Sequence, residues 1–318
     1  MKKISIFLAS NNNYAPYLCV TMYSILCNTK SFIDFYILED NIDEKYKSKI
    51  EKSLKRFKNK TIEYLNMGKF NLDKFPAIKH YSTSAFSRYF ISSLKPNLEK
   101  VIYLDCDIVV NGDIQKLYNQ ELDGYPIGAI SEKFFGNNEI NLKESIYENY
   151  KGTFSYFNSG VLLIDISKFN KGAYLDELLV KTQELSDKLL CADQDIFNIV
   201  FDGNYKLLDY KFNFMPDLKE YYYNTNDFKD IYDERNKNAV VFHYVSGKPW
   251  LCRSIKSYLF WRYLLKTQFK YLCISNLLKN KYDEKYKPKI DNAIFVFNQL
   301  KIKTQKTIFL LLKKYQLF

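Results

Sequence analysis

One decapeptide constrains this chain more than any other stretch: Val101-Ile102-Tyr103-Leu104-Asp105-Cys106-Asp107-Ile108-Val109-Val110. Its apolar, β-branched run reads as a buried parallel strand. Two carboxylates interrupt it, two residues apart. A strand interior cannot hold two unpaired charges, because desolvating each is too costly. The strand therefore ends there, with both acids at its carboxyl edge, where open α/β sheets bind ligands. Oxygen ligands so spaced suit a hard divalent cation, which commonly also holds substrate phosphates. The same residues fit a strand-end turn with its acids in solvent, and this stretch alone favours neither reading. Cys106, between the acids, faces the other way by period-two geometry and is expected to be a packed thiol.

The pattern around it is alternating. Strands are expected at Lys3–Ser10, Phe32–Leu38 and Thr61–Leu65, and helices at Tyr14–Thr29, Glu44–Phe57 and Ser84–Leu94. Pro16 marks the first helix start. Tyr46, Ile50, Leu54 and Phe57 give the second helix an apolar face with lysines outside. This order implies βαβ units and a parallel sheet. The first 110 residues resemble a nucleotide-binding half without a G-x-G-x-x-G or Walker A loop. Phosphates would then be held by other means, such as a metal. Beyond, strands are expected at Tyr125–Ser131, Tyr156–Ile166 and Ala239–Val245, and helices at 173–189 and from Cys191 to 201. Residues 132–155 read as a lid or specificity loop. Phe212-Asn213-Phe214-Met215-Pro216 reads as an apolar turn.

Charge divides the chain. Residues 251–318 carry 15 Lys+Arg against 3 Asp+Glu, whereas residues 1–250 have a net charge of −1. A neutral body argues against a nucleic-acid enzyme, whose cleft would be basic. In the basic segment, apolar clusters at Trp261–Leu265, Ala293–Leu300 and Thr307–Phe318 alternate with lysines. That fits an interfacial anchor on anionic lipid. A packed helix pair with a solvated lysine face is the other reading, and the size of the charge excess favours the anchor. The expected organisation is a catalytic domain over 1–250 and a membrane-association segment over 251–318. The six cysteines (Cys19, Cys27, Cys106, Cys191, Cys252, Cys273) form no C-x-x-C. They read as thiols of a reducing compartment. No stretch reaches the roughly 18 apolar residues of a membrane span. The expected location is the cytoplasm, peripherally attached to the inner face of the membrane.

Six stretches then occur in one order: Asn13-Tyr14-Ala15-Pro16-Tyr17-Leu18-Cys19-Val20, Y-L-D-C-D, Y-F-N-S-G-V-L-L-I-D, D-Q-D-I-F-N, F-N-F-M-P and H-Y-V-S-G-K-P-W. Together, over about residues 4–250, they resemble retaining glycosyltransferase family 8, in particular bacterial lipooligosaccharide α-galactosyltransferases and lipopolysaccharide α-glucosyltransferases. The resemblance implies an α/β fold: a single GT-A type, Rossmann-like domain with a mixed, mostly parallel sheet, followed by a helical basic tail. It implies Asp105, Asp107 and His243 as ligands of Mn²⁺, with Mg²⁺ as a substitute; carboxylate with imidazole suits Mn²⁺ better.

The resemblance also implies donor contacts. Lys248 and His80 would meet the diphosphate, and Gly247 lies beside that lysine. Arg88, Asn158, Ser159, Gly160 and Asp193 would surround the sugar, with Gln194 near the anomeric carbon. Asn11 and Asn13 would lie by the nucleoside, although an acid is usual at the position of Asn11. Asp193 and Gln194 are the expected catalytic pair. Read without the resemblance, Asp193 is a helix N-cap, Arg88 a surface ion pair, His80 a loop residue, and Asn158–Gly160 a turn before a strand. Glu132 stands near an acceptor-side position, and H-Y-V-S-G-K-P-W is one residue shorter than the usual motif, so Ser246 and Gly247 align ambiguously. The expected partners are a UDP-hexose donor (galactose or glucose), a lipid-linked oligosaccharide acceptor and an anionic membrane, with no nucleic acid. Two other classes fit parts of the pattern: a sugar-phosphate nucleotidyltransferase, whose Gly-rich basic N-terminal loop is not found here, and a catalytically silent sugar-binding protein.

Overall fold

The computed structural model describes residues 3–76, 83–131, 156–216, 226–245, 247–251 and 256–273. Strand β1 (Lys3–Asn11) is followed by α1 (Ala15–Asn28), β2 (Phe32–Asp40), α2 (Glu44–Leu54) and β3 (Lys60–Asn66). A 3-10 helix, Thr83–Phe90, runs into α3 (Ile91–Leu94), and β4 (Lys100–Leu104) and β5 (Ile108–Val110) follow. Then come α4 (Gln115–Tyr118), β6 (Ile127–Ser131), β7 (Phe157–Asp165), α5 (Ile166–Lys171), α6 (Tyr174–Glu184) and α7 (Asp193–Val200). The chain continues through β8 (Lys206–Leu207), α8 (Asn226–Asn238), β9 (Val241–His243) and α9 (Ser257–Leu264).

Seven strands form one sheet in the order β3-β2-β1-β4-β7-β6-β8. Pairs β1–β2, β2–β3, β1–β4 and β6–β8 are parallel, and β7 runs antiparallel to both β4 and β6. The sheet is thus mixed and mostly parallel, as expected. Period-two geometry sends Ile4, Ile6 and Leu8 of β1 into one core with α1, α2 and α9, and Phe7 into a second. That second core holds Phe86, Tyr89, Phe157 and Phe197. Helix α1 is buried on nearly all sides, which explains its apolar character throughout.

The decapeptide at 101–110 is not one strand. It leaves the large sheet after Leu104, turns at Asp105-Cys106-Asp107, and resumes as β5 in a separate two-stranded sheet with β9. The expected last core strand, Ala239–Val245, is likewise a correction: β9 covers only Val241–His243 and lies outside the large sheet, paired with β5 so that Ile108 is opposite His243, and bridged on its other side at Phe242 to Phe214. The other edge of β5 is served by α1. Val110 N donates to Ser24 Oγ at 2.9 Å, Asn28 Nδ2 donates to Val110 O at 2.9 Å, and Thr21 Oγ1 lies 2.8 Å from Ile108 O. Buried backbone groups must be paired, and three polar residues on an otherwise apolar helix pair them here.

The helix expected over Ser84–Leu94 is wound as a 3-10 helix up to Phe90. Arg88 Nε donates to Ala85 O at 3.0 Å, an i to i−3 contact that suits the tighter turn.

The boundary expected after residue 250 does not coincide with a change in packing. Leu259, Phe260, Trp261, Tyr263, Leu264, Phe269 and Cys273 belong to the first core. Trp261 Nε1 donates to Pro249 O at 3.1 Å, and Trp250 stacks on Tyr17 with ring centroids 3.6 Å apart. Burying such side chains contributes about 1.5–3 kcal/mol each, so the start of the basic segment supports the body. The two later apolar clusters, Ala293–Leu300 and Thr307–Phe318, lie outside the described residues, as do residues 132–155 with Glu132. Among the described residues no helix is long and apolar enough to cross a membrane.

Candidate active site

Leaving the large sheet creates the site. Asp105 N donates to Gly160 O at 2.9 Å, tying the turn to β7, and Tyr244 N donates to Asp107 O at 3.0 Å, tying it to the end of β9. One ligand atom each from Asp105, Asp107 and His243 lies within 4.8 Å of the others. His243 Nε2 is 3.1 Å from Asp107 Oδ1 and 3.8 Å from Asp105 Oδ2. Asp107 Oδ1 is buried and accepts no hydrogen bond, which is costly for a carboxylate. Two carboxylates and an imidazole nitrogen facing one point call for a positive charge between them, and this donor set fits a divalent ion such as Mn²⁺.

Lys248 supplies part of that charge. Its Nζ donates to Asp107 Oδ2 and, at 2.7 Å, to Tyr244 O. Burial alone would raise the Asp107 carboxyl; the Lys248 ammonium counters it, and the carboxyl is held well below the usual carboxylate range. Cys106 points away into the core and its thiol donates to Ala9 O at 2.9 Å, as expected for a packed residue.

Gly160 makes the convergence possible. A Cβ there would sit 2.4 Å from His243 Cε1 and 2.6 Å from Asp105 Oδ2. The glycine leaves room for the chain's own ligands.

Arg88 is no surface pair but a buried hub. Its Nη2 meets Asp105 Oδ1 and its Nε meets Asp193 Oδ2, each at 3.0 Å, while Nη1 donates to Ser159 Oγ at 3.0 Å. The guanidinium lies 4.3 Å from the ring centroid of Tyr103, whose hydroxyl donates to Asp105 Oδ1 at 2.8 Å. Burial would lower Arg88, but Asp105 and then Asp193 outweigh it and keep it charged. Burial pushes Asp193 up to about 7, against the pull of Arg88. The nearby Asp105 carboxylate adds to the rise.

Asp193 is not the N-cap of α7. Ala192 occupies that position with φ 50° and ψ −125°, a strained conformation for a residue with a Cβ. Asp193 is the first helical residue, and Ser159 Oγ donates to it at 3.1 Å. The loop ahead is held by Asp195, whose Oδ2 accepts from Leu190 N and Cys191 N, both at 2.8 Å. Asp195, Tyr103 and Asn213 are site residues that motif reading passed over. The second acid of D-Q-D, buried in an apolar helix start, was the available signal for Asp195.

Gln194 and Asn158 are joined. Asn158 Nδ2 donates to Gln194 Oε1 at 2.8 Å, and Ser159 N donates to the same oxygen at 3.2 Å. Asn11 serves the loop before α1: its Oδ1 accepts from Asn13 N at 3.1 Å and Tyr14 N at 3.2 Å. Asn13 itself is exposed on that turn. Gly247 lies beside Lys248, whereas His80 and Ser246 fall outside the described residues. The geometry thus gathers Asp105, Asp107, His243, Lys248, Arg88, Asn158, Ser159, Gly160, Asp193 and Gln194 at one sheet edge.

Residues 5–254 match the family model of glycosyl transferase family 8, and the chain belongs to that family. It is 28% identical over 251 residues to glycosyltransferase GlyF of Streptococcus pneumoniae, a match covering 79% of this chain and 58% of that protein. It is 27% identical over 232 residues to the lipopolysaccharide 1,3-galactosyltransferase of Salmonella typhimurium, covering 71% and 66%. Among solved structures it is similar to the galactosyltransferase LgtC in complex with donor and acceptor sugar analogues. That match has a TM-score of 0.70 at 26% identity, covering 83% of this chain and 96% of the other. The chain therefore spans a little under two thirds of the length of these two curated relatives.

Proposed function

We propose that the chain is a retaining hexosyltransferase that moves galactose or glucose from a UDP-sugar onto a lipooligosaccharide or lipopolysaccharide core, forming an α-linkage. The observation that carries this reading is the Asp105–Asp107–His243 cluster with its buried, undonated Asp107 oxygen. These three residues hold a divalent ion, for which Mn²⁺ is the best match. When bound, that ion neutralises charge developing on the leaving diphosphate. Lys248 adds an ammonium on the same side, and His80 is the expected second contact. Arg88, Ser159 and Asp193 form a fixed array against which sugar hydroxyls orient, and Asn11 and Asn13 lie by the nucleoside.

Gln194 acts by position. Its Oε1 already accepts from Asn158 Nδ2 and Ser159 N, so attack by that oxygen would forfeit both bonds. This favours substitution on one face of the sugar, with the amide dipole steadying an oxocarbenium-like state. The acceptor assignment draws on the lipopolysaccharide galactosyltransferase among the relatives.

Membrane association through the tail belongs to the same proposal. Lys52 of α2 and Lys55, Arg56 and Lys58 just after it line a groove with Lys266 of the basic segment. Such a surface complements anionic headgroups.

The test is calorimetry with UDP and Mn²⁺, followed by hydrolysis of UDP-galactose and UDP-glucose with and without Mn²⁺. Metal-dependent turnover that Asp107→Ala abolishes supports the assignment. Turnover unchanged in that variant overturns it, and UDP binding without any turnover would favour the silent sugar-binding reading.

A further inference from the structure

The side chains between Gln194 and the cluster form one oriented chain of hydrogen bonds. Its direction can be read from groups whose roles are not interchangeable. Ser159 N and Gly160 N are backbone donors, so the atoms they meet, Gln194 Oε1 at 3.2 Å and Asn158 Oδ1 at 3.0 Å, are acceptors. Asn158 therefore turns its Nδ2 to Gln194. Its Oδ1 accepts a second bond, from Asn213 Nδ2 at 3.0 Å. That leaves Asn213 Oδ1 facing His243 Nδ1 at 2.9 Å. An amide oxygen only accepts, so Nδ1 carries a hydrogen. At the other end, Gln194 Nε2 donates to Tyr156 OH at 3.0 Å, and that hydroxyl donates to Asp195 Oδ1 at 2.7 Å. Every link runs the same way.

We propose that Asn213 is a positioning residue that fixes His243 as its Nδ1–H tautomer and so presents the Nε2 lone pair to Asp105 and Asp107. The backbone amide of Gly160 sets the polarity, Asn158 relays it, and Asn213 delivers it. Asn213 and His243 are 4% and 2% exposed, so water does not substitute for either partner. The partner of one ring nitrogen decides what the other can do, and residues holding a ligating imidazole commonly change metal affinity 10- to 100-fold when lost. The same relay joins Gln194, placed at the sugar, to the ligand at the diphosphate. The proposal rests on the metal reading above for its function, but not for its tautomer.

The test uses the full chain, which has two histidines. Long-range ¹H–¹⁵N spectra of the imidazoles, recorded without metal at a pH where they are neutral, identify the tautomer directly. The variant His80→Ala assigns the His243 signals. Wild type should show Nδ1–H. Asn213→Leu should lose it and bind Mn²⁺ about 10- to 100-fold more weakly by calorimetry. Asn213→Asp keeps an acceptor for Nδ1–H while giving up the donor to Asn158, so it should retain the tautomer and most of the affinity. Nε2–H in wild type, or an unchanged tautomer in Asn213→Leu, overturns the proposal. No Mn²⁺ binding by a wild type that shows Nδ1–H would overturn the metal reading and leave the tautomer assignment standing.

Discussion

Gly160 and His243 are packed so that a methyl group on residue 160 would lie 2.4 Å from the imidazole Cε1. Residue 160 also passes its carbonyl to Asp105 N, so the backbone cannot retreat without releasing the turn. Gly160→Ala should therefore displace the imidazole and weaken Mn²⁺ binding at least tenfold, with a stability loss of about 1–3 kcal/mol from overpacking. Calorimetric titration and urea unfolding check both. Unaltered affinity would mean that His243 does not ligate from this position.

Arg88 reaches Asp105 and Asp193 with different nitrogens of one planar group. An ammonium is a point charge without that fork. Arg88→Lys should leave one of the two carboxylates buried without its cation, at a cost of about 3–5 kcal/mol. Donor-sugar hydrolysis should fall about 100-fold or more, because the array that orients the sugar is lost. Near-normal turnover would remove Arg88 from the donor site.

The titration of Asp193 predicts a pH signature. Its folded carboxyl stands at about 7, raised by burial, against about 3.9 in an unfolded chain. Between those values the unfolded state binds fewer protons than the native state, so stability falls as pH rises through the window and levels off above it. Asp193→Asn removes this contribution. The variant should therefore gain on wild type between roughly pH 4 and pH 7 in urea unfolding. The reverse trend would show that Arg88 dominates and that Asp193 is an ordinary low-pKa partner.

Chain shortening separates the two parts of the basic segment. Ending after Phe260 removes Trp261, Tyr263 and Leu264, which are at most 2% exposed, and should give an insoluble or unfolded product. Ending after Cys273 leaves that packing intact and should yield a folded body that binds anionic vesicles far more weakly, keeping only the groove lined by Lys55, Arg56 and Lys266. Thermal unfolding and vesicle sedimentation distinguish the outcomes. Equal vesicle binding with and without residues 274–318 would overturn the anchor.

Much of the architecture was legible because local pattern and burial agree. The alternation of β1, α1, β2, α2 and β3 is carried by apolar periodicity, and the sheet keeps those elements where the periodicity puts them. Legibility stopped where tertiary pairing decides. Nothing local distinguishes Ile108–Val110 from a continuation of β4; what separates them is that the far sheet offers His243 and α1 offers Thr21, Ser24 and Asn28. Trp261 and Tyr263 sat in a lysine-rich segment whose average charge masked one apolar helix face. The motif residues Asp105, Asp107, His243, Lys248, Arg88, Asn158 and Gln194 do converge. Asn213, inside an apparently apolar turn, was missed because one amide among aromatics has no spacing signature; its meaning comes from the Asn158 amide on one side of it and the His243 imidazole on the other.

The turn at Asp105–Asp107 has a mechanical consequence. Asp105 directly follows a strand of the large sheet, Asp107 directly precedes the first strand of the small one, and His243 closes the small sheet's other strand. An ion gripped by all three would be a rivet through the joint of two plates. Occupancy and heat resistance should then rise together, in proportion to the logarithm of free ion concentration. A protein built this way would be firmest when charged with its cofactor and loosest at that one seam when stripped of it.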